Sequence, residues 1–414
     1  MAGTKGKGST CAFIESLMRA HGRSTKRPLK TGLYTSPHLI KPEERIRINS
    51  KPLEPGLFAK YLYEVYDRLP QLARDYDGSK PLLERGPRYL QLFALLAFHV
   101  FIRERVDVAI IETHSGGEYD ATNVMQQPVV TAITTLGMDH IDMLGPTVEN
   151  IAWHKAGIFK TGAVALSTVQ DSGLEQVLEQ RAAEKGVPLT IVDGDASLSM
   201  STTQLKPAVQ RKNASLAIAA CIAWLRRTAS TLSTLSREAI QEGIANWSWP
   251  GRFQTISDGK CTWFLDAAHN DMSVKLATQW FAESSVELSP PAKKILVFTH
   301  VNELRDAEAL LRTLAQALRD AQVRFDAVFF TTYHATQAAA EKEQASVPSS
   351  WRQIWTDVFP HSQVHERVSI DAAMQFAKDL AAVQRAHILV TGSQHLVGPA
   401  LEILSGPRTQ GLAC

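Results

Sequence analysis

Short apolar runs alternate with longer amphipathic stretches along most of the chain. Apolar runs bounded by polar residues are typical of buried strands, whereas apolar residues that recur every three or four positions are typical of helices. The runs predict strands over 31–35, 106–112, 129–134, 163–170 and 188–195. The recurrent pattern predicts helices over 57–69, 87–104, 148–158 and 212–227. This alternation favours an α/β fold with a mainly parallel sheet covered by helices.

The alternation breaks at residues 246–252, where Asn-Trp-Ser-Trp-Pro-Gly-Arg contains a Pro-Gly turn. Two domains are also the expectation for a chain of 414 residues. We therefore predict an α/β domain over 1–250 and a smaller, Rossmann-like α/β domain over 251–414. In the second domain, strands are predicted over 262–266, 294–299, 325–332 and 386–391, and helices over 273–283, 306–321 and 369–384.

Charge and cysteine content narrow the class of protein. The net charge is only +2, so the sequence predicts neither a nucleic-acid partner nor a membrane surface. The longest apolar stretch, 89–102, is interrupted by Gln91 and His99, which indicates a buried helix rather than a membrane span. The cysteines follow no metal-ligand spacing and predict reduced thiols in the cytoplasm: Cys11, Cys221, Cys261 and Cys414.

The chain opens on Met-Ala-Gly-Thr-Lys-Gly-Lys-Gly-Ser-Thr, ahead of a helix predicted over 11–18. The glycines allow consecutive N–H groups to converge on an anion, and Lys7 adds a positive charge for phosphate oxygens. Ser9 or Thr10 offers a hydroxyl suited to Mg²⁺. The general pattern G-x-x-x-x-G-K-[ST] is not met. Two interpretations stay open for this segment alone, a phosphate-binding loop and a flexible Gly/Lys-rich terminus.

Polar residues follow several predicted strands, at the sheet edge where ligands bind in parallel α/β folds. Ser36 follows the first strand, and Glu112 ends the second, where a carboxylate is a suitable ligand for nucleotide-bound Mg²⁺. His140 follows the third strand beside Asp139, which favours a metal or phosphate role. The alternatives are a capping serine, a solvated glutamate and a structural histidine.

A lysine within an apolar helix and a polar cluster after the break are further candidates. Lys155 lies among apolar residues, where a charged amine is costly unless it is neutral, paired, modified or able to reach the surface. Asp266 ends a strand and is followed by His269, while Arg252 lies in the Pro-Gly turn. Arg252 suits a phosphate, and Asp266 suits a ribose hydroxyl.

Taken in order, these motifs resemble those of the folylpolyglutamate synthases of the Mur ligase superfamily, in particular their eukaryotic, fungal branch. The likeness extends over nearly the whole chain. The matching segments are Gly3-Thr-Lys-Gly-Lys-Gly-Ser9, Thr35-Ser-Pro-His-Leu39, Glu44-Arg-Ile-Arg-Ile-Asn49, Glu112 with Gly116-Gly-Glu-Tyr-Asp-Ala-Thr-Asn123, Leu136-Gly-Met-Asp-His140, Ile151-Ala-Trp-His-Lys-Ala-Gly-Ile158, Gln210-Arg-Lys-Asn-Ala-Ser-Leu216, Trp249-Pro-Gly-Arg252, Leu265-Asp-Ala-Ala-His269 and Val390-Thr-Gly-Ser-Gln-His-Leu-Val-Gly398.

The resemblance implies a Mur-ligase-like P-loop domain that binds ATP over 1–250 and a Rossmann-like ligase domain over 251–414. It implies an ATP-dependent acid–amino acid ligase whose substrates are ATP, a folate-like acid and glutamate. ATP phosphorylates the γ-carboxylate of the folate or of its glutamate tail, and the amine of glutamate attacks the acyl phosphate. A monomer in the cytoplasm is expected.

The resemblance also implies roles for residues of the first domain. Ser36 and Glu112 bind one Mg²⁺, and His140 helps to bind a second metal ion, with K⁺ as a further candidate cation. Lys7 holds the β- and γ-phosphates and counts as catalytic. The ATP-binding loop comprises Gly3, Thr4, Lys5, Gly6, Lys7, Gly8 and Ser9.

The remaining roles follow from the same resemblance. Lys155 matches a carboxylated lysine, a modification that turns a buried cation into a metal-binding anion, and it counts as catalytic. Asn213 contacts adenine. Arg252 and Asp266 bind ATP from the far side of a cleft, and the catalytic His269 lies near the reacting phosphate.

The chain departs from the family pattern at several places. The family has a strand ahead of the loop that this sequence lacks, so we expect the loop to have no anchor on that side, residues 1–8 to be mobile without ligand, and ATP affinity to be weak. Thr113-His-Ser115 replaces Val-Gly-Ile, Val209 replaces a histidine, and Asn270-Asp-Met-Ser273 replaces Thr-x-Glu-Ser. Three alternatives stay open: a paralogue with a non-folate substrate, a pseudoenzyme or binding module, and a mitochondrial form.

Overall fold

The computed structural model describes residues 1–72, 77–81, 84–196, 198, 202–228, 234–288, 292–301, 306–333, 347–367 and 369–406. The chain divides into two compact units, Met1–Ser248 and Trp249–Cys414. Strands and helices alternate in both units, which confirms the predicted α/β class. Of the cysteines, Cys414 lies outside the described residues.

The first unit contains the following elements. Its strands are β1 Thr31–Tyr34, β2 Ile46–Ile48, β3 Lys51–Pro52, β4 Val108–Ile111, β5 Val130–Ile133, β6 Val164–Thr168 and β7 Leu189–Val192. Its helices are α1 Lys7–Ser24, α2 Pro55–Tyr66, α3 Leu69–Leu72, α4 Tyr89–Arg103, α5 Ile141–Leu144, α6 Val148–Ala156, α7 Ser172–Glu184, α8 Ala208–Thr228 and α9 Arg237–Ala245.

The strands of this unit form two sheets, in the orders β3-β2-β1-β4 and β5-β6-β7. The β1–β4, β5–β6 and β6–β7 pairs are parallel, whereas β2 pairs antiparallel with both β1 and β3. The hairpin of β2 and β3 was not predicted, because such short strands carry too few residues to show an alternating pattern. The first sheet is therefore mixed rather than mainly parallel.

Met1 and Ala2 lie between β4 and β5 and bond to both. The Met1 nitrogen donates to Ile111 O, and Thr113 N–H donates to Met1 O, both at 2.9 Å. On the other side, Ala2 N–H donates to Ala132 O, and Thr134 N–H donates to Ala2 O, also at 2.9 Å. The loop thus has an anchor on its N-terminal side, and the expectation that it has none was wrong.

Helix α1 begins at Lys7, four residues earlier than predicted, because the glycines and polar residues of the loop give no apolar periodicity that marks its first turn. Phe13 of this helix is fully buried and stacks on Trp247 at a ring-centroid distance of 4.2 Å. Helices α8 and α9 pack against α1. This packing fixes the helix that carries the end of the glycine-rich loop.

The second unit is built on one sheet in the order β12-β11-β10-β13-β9-β8, parallel except for the β8–β9 pair. Its core is rich in aromatic side chains, and Phe264, Phe298 and Trp355 are fully buried. The edge strands β8 and β12 were not predicted, because they have few apolar residues. The elements are β8 Gln254–Asp258, β9 Cys261–Asp266, α10 Asp271–Glu287, β10 Lys293–Phe298, α11 Ala307–Asp320, β11 Ala327–Thr331, α12 Ser349–Val358, β12 Gln363–Arg367, α13 Ile370–Val383, β13 Ala386–Thr391 and α14 Gln394–Ser405.

A helix that crosses a membrane must be both long and apolar. Within the described ranges, no helix combines the length and the apolar character that crossing a bilayer requires.

Candidate functional site

The glycine-rich loop is held against the carboxyl end of β5. Thr4 N–H and Lys5 N–H both donate to Thr135 O, at 2.9 and 3.2 Å. The Thr4 hydroxyl donates to Gly137 O at 3.0 Å. These bonds place the loop backbone at the strand end, directly ahead of the N-terminus of α1, where backbone N–H groups favour an anion.

Two loop glycines have backbone conformations that favour glycine, with φ of +146° at Gly3 and +90° at Gly6. A Cβ at Gly3 would overlap the Thr134 hydroxyl, and one at Gly6 would overlap the Asn213 side-chain oxygen. Asn213 is buried and donates from Nδ2 to Gln210 Oε1 at 2.9 Å. The structure therefore brings Asn213 into contact with the loop, although 207 positions separate it from Gly6.

The Gly6→Ala substitution is expected to weaken MgATP binding by about tenfold or more. A left-handed conformation costs a non-glycine residue about 1–3 kcal/mol, and the added methyl group would displace Asn213 or the loop. Calorimetric titration of MgATP measures the effect. Gly162→Ala is the matched control, because Gly162 has a similar φ of +84° but nothing within 4 Å of an added Cβ. Equal MgATP affinity in Gly6→Ala and the unaltered protein would contradict the role of this loop.

Glu112, Ser36 and Lys7 form a contact set next to the loop. Glu112 follows β4, and its side chain is 5% exposed, which rules out the solvated alternative. Its Oε2 accepts a hydrogen bond from Ser36 N–H at 3.1 Å, while its Oε1 lies 4.0 Å from Lys7 Nζ. A buried carboxylate beside a lysine and a serine suits a hard divalent cation together with phosphate oxygens.

Lys155 lies beneath the loop. It is 2% exposed and donates from Nζ to Gly3 O at 2.8 Å, so the surface-exposed alternative was wrong. It occupies the last turn of α6, which ends at Ala156 rather than at residue 158. Burial, and secondarily the positive charge of Lys7, lowers the pKa of Lys155 to about 7. A neutral amine is therefore accessible near neutral pH.

His140 lies on the segment between β5 and α5. It has a left-handed φ of +54°, is exposed, and immediately precedes α5. Its neighbour Asp139 pairs with Lys5 of the loop at 3.5 Å. This places the His140 segment beside the loop, while its metal role stays a prediction. No group of three or more His, Cys, Asp or Glu side chains suited to a metal ion occurs among the residues that the structure describes.

A buried chain of hydrogen-bonding groups adjoins Glu112. Tyr34 Oη and His114 Nε2 are 2.6 Å apart, and His114 Nδ1 lies 3.5 Å from Asp120 Oδ1. Asp120 Oδ2 also accepts from the N–H groups of His114 and Ser115, at 2.9 and 3.0 Å. Burial lowers the pKa of His114. Sequence reasoning marked His114 and Ser115 as departures from the family but missed the partners, since neither Tyr34 nor Asp120 stands out in a local pattern.

The candidate residues of the second unit cluster at the end of β9. Asp266 is buried and accepts from Phe253 N–H through Oδ2 at 2.9 Å. The ring Nδ1 of His269 lies 3.0 Å from Ala267 O. The backbone N–H of His269 donates to the Ser273 hydroxyl. Arg252 is half-buried and donates to Gly251 O at 3.3 Å. The three residues therefore occupy one end of this sheet.

Comparisons with known proteins agree with the motifs. Residues 251–394 match the family model "Mur ligase, glutamate ligase domain". The folylpolyglutamate synthase of Neurospora crassa is 40% identical over 98% of this chain and 80% of that protein. That of Saccharomyces cerevisiae is 36% identical over 97% of this chain and 76% of that protein.

The fold agrees as well. The crystal structure of Mycobacterium tuberculosis folylpolyglutamate synthase complexed with ADP and AMPPCP superposes with a TM-score of 0.77 at 25% identity, over 98% of this chain and 90% of that one. The predicted Mur-ligase-like architecture is thus confirmed. With identity of this level across nearly its whole length, the chain belongs to the folylpolyglutamate synthase family.

Proposed function

We propose that this protein is an ATP-dependent ligase that joins the γ-carboxylate of a folate, or of its glutamate tail, to the amine of glutamate. Family membership supports this reaction, and the relatives lend no support to a non-folate paralogue or a pseudoenzyme. The observation that carries the proposal is the anchored loop 3–9, with Lys7 beside Glu112 and Lys155 beneath Gly3.

The reaction needs phosphoryl transfer followed by amide formation. The carboxylate oxygen attacks the γ-phosphorus of ATP, which forms the acyl phosphate and releases ADP. The glutamate amine then attacks the acyl carbon, and the tetrahedral intermediate expels inorganic phosphate as the amine loses a proton. The loop N–H groups and Lys7 are suited to hold the β- and γ-phosphates in line, since positioning and charge neutralisation dominate such transfers.

Mg²⁺ fits the residues present. Because a single buried carboxylate cannot enclose the ion, Glu112 and Ser36 would hold it together with phosphate oxygens and water, as is usual for Mg²⁺ in nucleotide sites. The ion supplies charge neutralisation at the transferring phosphate. His140 is proposed for a second cation, Mg²⁺ or K⁺, and carboxylated Lys155 for an additional anionic ligand.

The roles proposed for the other candidates rest on the family motifs that they match. Asn213, which contacts the loop at Gly6, would recognise adenine. In the second unit, Arg252 would bind phosphate and Asp266 would bind ribose. His269 would lie near the reacting phosphate. A monomer in the cytoplasm is the assembly and compartment that we propose, and the free, buried thiols of Cys11, Cys221 and Cys261 support a reducing environment.

The proposed reaction is tested by incubating the purified chain with MgATP, tetrahydrofolate and labelled glutamate. We expect ADP release that depends on both the folate and glutamate, together with a product longer by one glutamate residue on chromatography. ATP binding without turnover of any folate would favour the non-folate paralogue. A chain that binds no nucleotide would favour the pseudoenzyme.

A further inference from the structure

The two proposed metal ligands lie just beyond the ends of two paired strands. Tyr34 and Ile111 are the last residues that the β1–β4 ladder pairs. Glu112 N–H donates to Tyr34 O at 2.9 Å, and Ser36 N–H donates to Glu112 Oε2 at 3.1 Å. Past these bonds the regular ladder no longer sets the spacing of the two segments, so side-chain contacts gain importance there.

One side-chain contact joins the two strand ends at this point. Tyr34 Oη and His114 Nε2 are 2.6 Å apart, and the two rings meet edge to face at a centroid distance of 5.5 Å. Tyr34 is fully buried, and the side chain of His114 is 4% exposed. Each of the two lies two residues from a proposed ligand, on the same segment. The contact therefore connects the two segments that carry Ser36 and Glu112.

Asp120 holds His114 from the other side. Its Oδ2 accepts from the backbone N–H of His114 at 2.9 Å, and its Oδ1 lies 3.5 Å from His114 Nδ1. Oδ1 also accepts from the N–H and the hydroxyl of Thr122, at 3.0 and 2.7 Å. Because an ionised carboxylate only accepts hydrogen bonds, Nδ1 faces it as N–H, and Nε2 accepts from the Tyr34 hydroxyl. Asp120 thus places the imidazole that bonds to Tyr34.

The contact depends on residues that are particular to this chain. Where the family pattern has Val-Gly-Ile, this chain has Thr113-His-Ser115. Glycine has no side chain that could reach Tyr34. Both ring nitrogens of His114 face polar groups in a buried setting, whereas a residue that only fills space needs no such partners. His114 therefore adds a constraint between the strand ends that the family pattern lacks.

We propose that His114 is a positioning residue for the Mg²⁺ site: by bonding to Tyr34 it holds the end of β1 against the end of β4, and so sets the spacing of the two proposed ligands. Because MgATP must bind at Ser36 and Glu112 for this role to exist, the inference rests on the proposed function. Loss of a group that orients metal ligands typically weakens metal binding by about 10–100-fold. We expect the lower end of that range, since Tyr34 acts through the strand backbone.

Electron paramagnetic resonance of Mn²⁺, a paramagnetic substitute for Mg²⁺, tests this role on the full chain with the ATP analogue AMPPCP and without turnover. Tyr34→Phe removes only the hydroxyl, and we expect about tenfold weaker Mn²⁺ binding. Tyr61→Phe is the matched control, because Tyr61 is also buried and donates from Oη to Glu104 Oε1 at 2.6 Å. The control loses a similar hydrogen bond and should keep its Mn²⁺ affinity.

Two substitutions of His114 separate its contact with Tyr34 from its contact with Asp120. A glutamine amide reaches about as far as Nε2, whereas an asparagine amide reaches about as far as Nδ1. His114→Gln should therefore keep most of the Mn²⁺ affinity, and His114→Asn should weaken it about as much as Tyr34→Phe. Combining Tyr34→Phe with His114→Asn should weaken binding no more than either change alone, since both remove the same contact.

Equal Mn²⁺ affinity in Tyr34→Phe and the unaltered protein would overturn the positioning role and leave the proposed function intact. Equal losses in His114→Gln and His114→Asn would also overturn it, and this comparison remains if Tyr34→Phe does not fold. An unaltered protein that binds no Mn²⁺ with AMPPCP would remove the proposed site and the positioning role together.

Steady-state rates supply a second measurement. In Tyr34→Phe, the Mg²⁺ concentration for half-maximal rate should rise about tenfold, while KM for glutamate stays unchanged. A change confined to KM for the folate would overturn the positioning role and assign His114 to binding of that acid instead.

Discussion

Glu112→Gln is expected to reduce Mg²⁺-dependent turnover by at least about 100-fold, equivalent to about 3 kcal/mol of transition-state stabilisation. Glutamine keeps the size of the side chain, and its amide oxygen can accept the hydrogen bond that Ser36 N–H donates to Glu112 Oε2 at 3.1 Å in the unaltered protein. It lacks the charge that pairs with Lys7 and that a divalent cation requires. The loss should therefore fall on turnover while the fold is retained.

Steady-state rates over a Mg²⁺ titration, together with thermal melting, measure this effect. Glu64→Gln is the matched control, because Glu64 is a carboxylate of α2 that pairs with His99 and Arg103 of α4 rather than with a residue of the loop. The control should keep its turnover. Unchanged turnover in Glu112→Gln at limiting Mg²⁺ would remove Glu112 from the site.

Lys155→Arg is expected to abolish most of the turnover, and the unaltered protein should lose activity in buffer free of carbon dioxide. With a pKa of about 7, Lys155 is mainly neutral above that pH. A neutral amine can add to carbon dioxide, forming an N–C bond and releasing one proton to leave a carbamate. Because the pKa is lowered, the neutral and reactive form of the amine increases as pH rises through 7. Less added bicarbonate should therefore be needed to restore activity at pH 8 than at pH 6.

Rates with and without added bicarbonate at both pH values, and intact mass under mild conditions, check the modification. Lys60→Arg, at an exposed position of α2, serves as the control and should leave the rates unchanged. Full activity of Lys155→Arg would contradict a carboxylated lysine, because arginine does not form the carbamate. Bicarbonate-independent activity of the unaltered protein at both pH values would contradict it as well.

Local sequence patterns pointed to several residues of the candidate site. Glycines and lysines at 3–8 indicated a candidate phosphate-binding loop, and a carboxylate after an apolar run placed Glu112 at a strand end, while its burial came from the structure. The apolar neighbours of Lys155 made it a candidate for burial, and the structure shows that it is buried. Such predictions succeed because apolar periodicity and backbone freedom depend on neighbouring residues.

Short edge elements could not be predicted in the same way. Strand β3 has two residues and is exposed, and β8 presents few apolar side chains to a core. Their strand conformation comes from the hydrogen bonds of the neighbouring strand rather than from their own burial. The hydrophobic pattern of a segment therefore does not reveal a strand that is stabilised mainly by hydrogen bonds to its neighbour.

The sequence by itself determined which groups are available: the glycines, the lysines, the strand-end carboxylate and the alternation of an α/β fold. Only the tertiary structure decided which groups meet. The bond from Lys155 Nζ to Gly3 O spans 152 positions, and the bond from Ser36 N–H to Glu112 spans 76. Two further arrangements also join residues that are distant in the sequence. These are the placement of Met1 and Ala2 between β4 and β5, and the Tyr34–His114–Asp120 chain. The physical reason is that strand order and register set these distances, and both result from burying distant segments against one another rather than from any local preference.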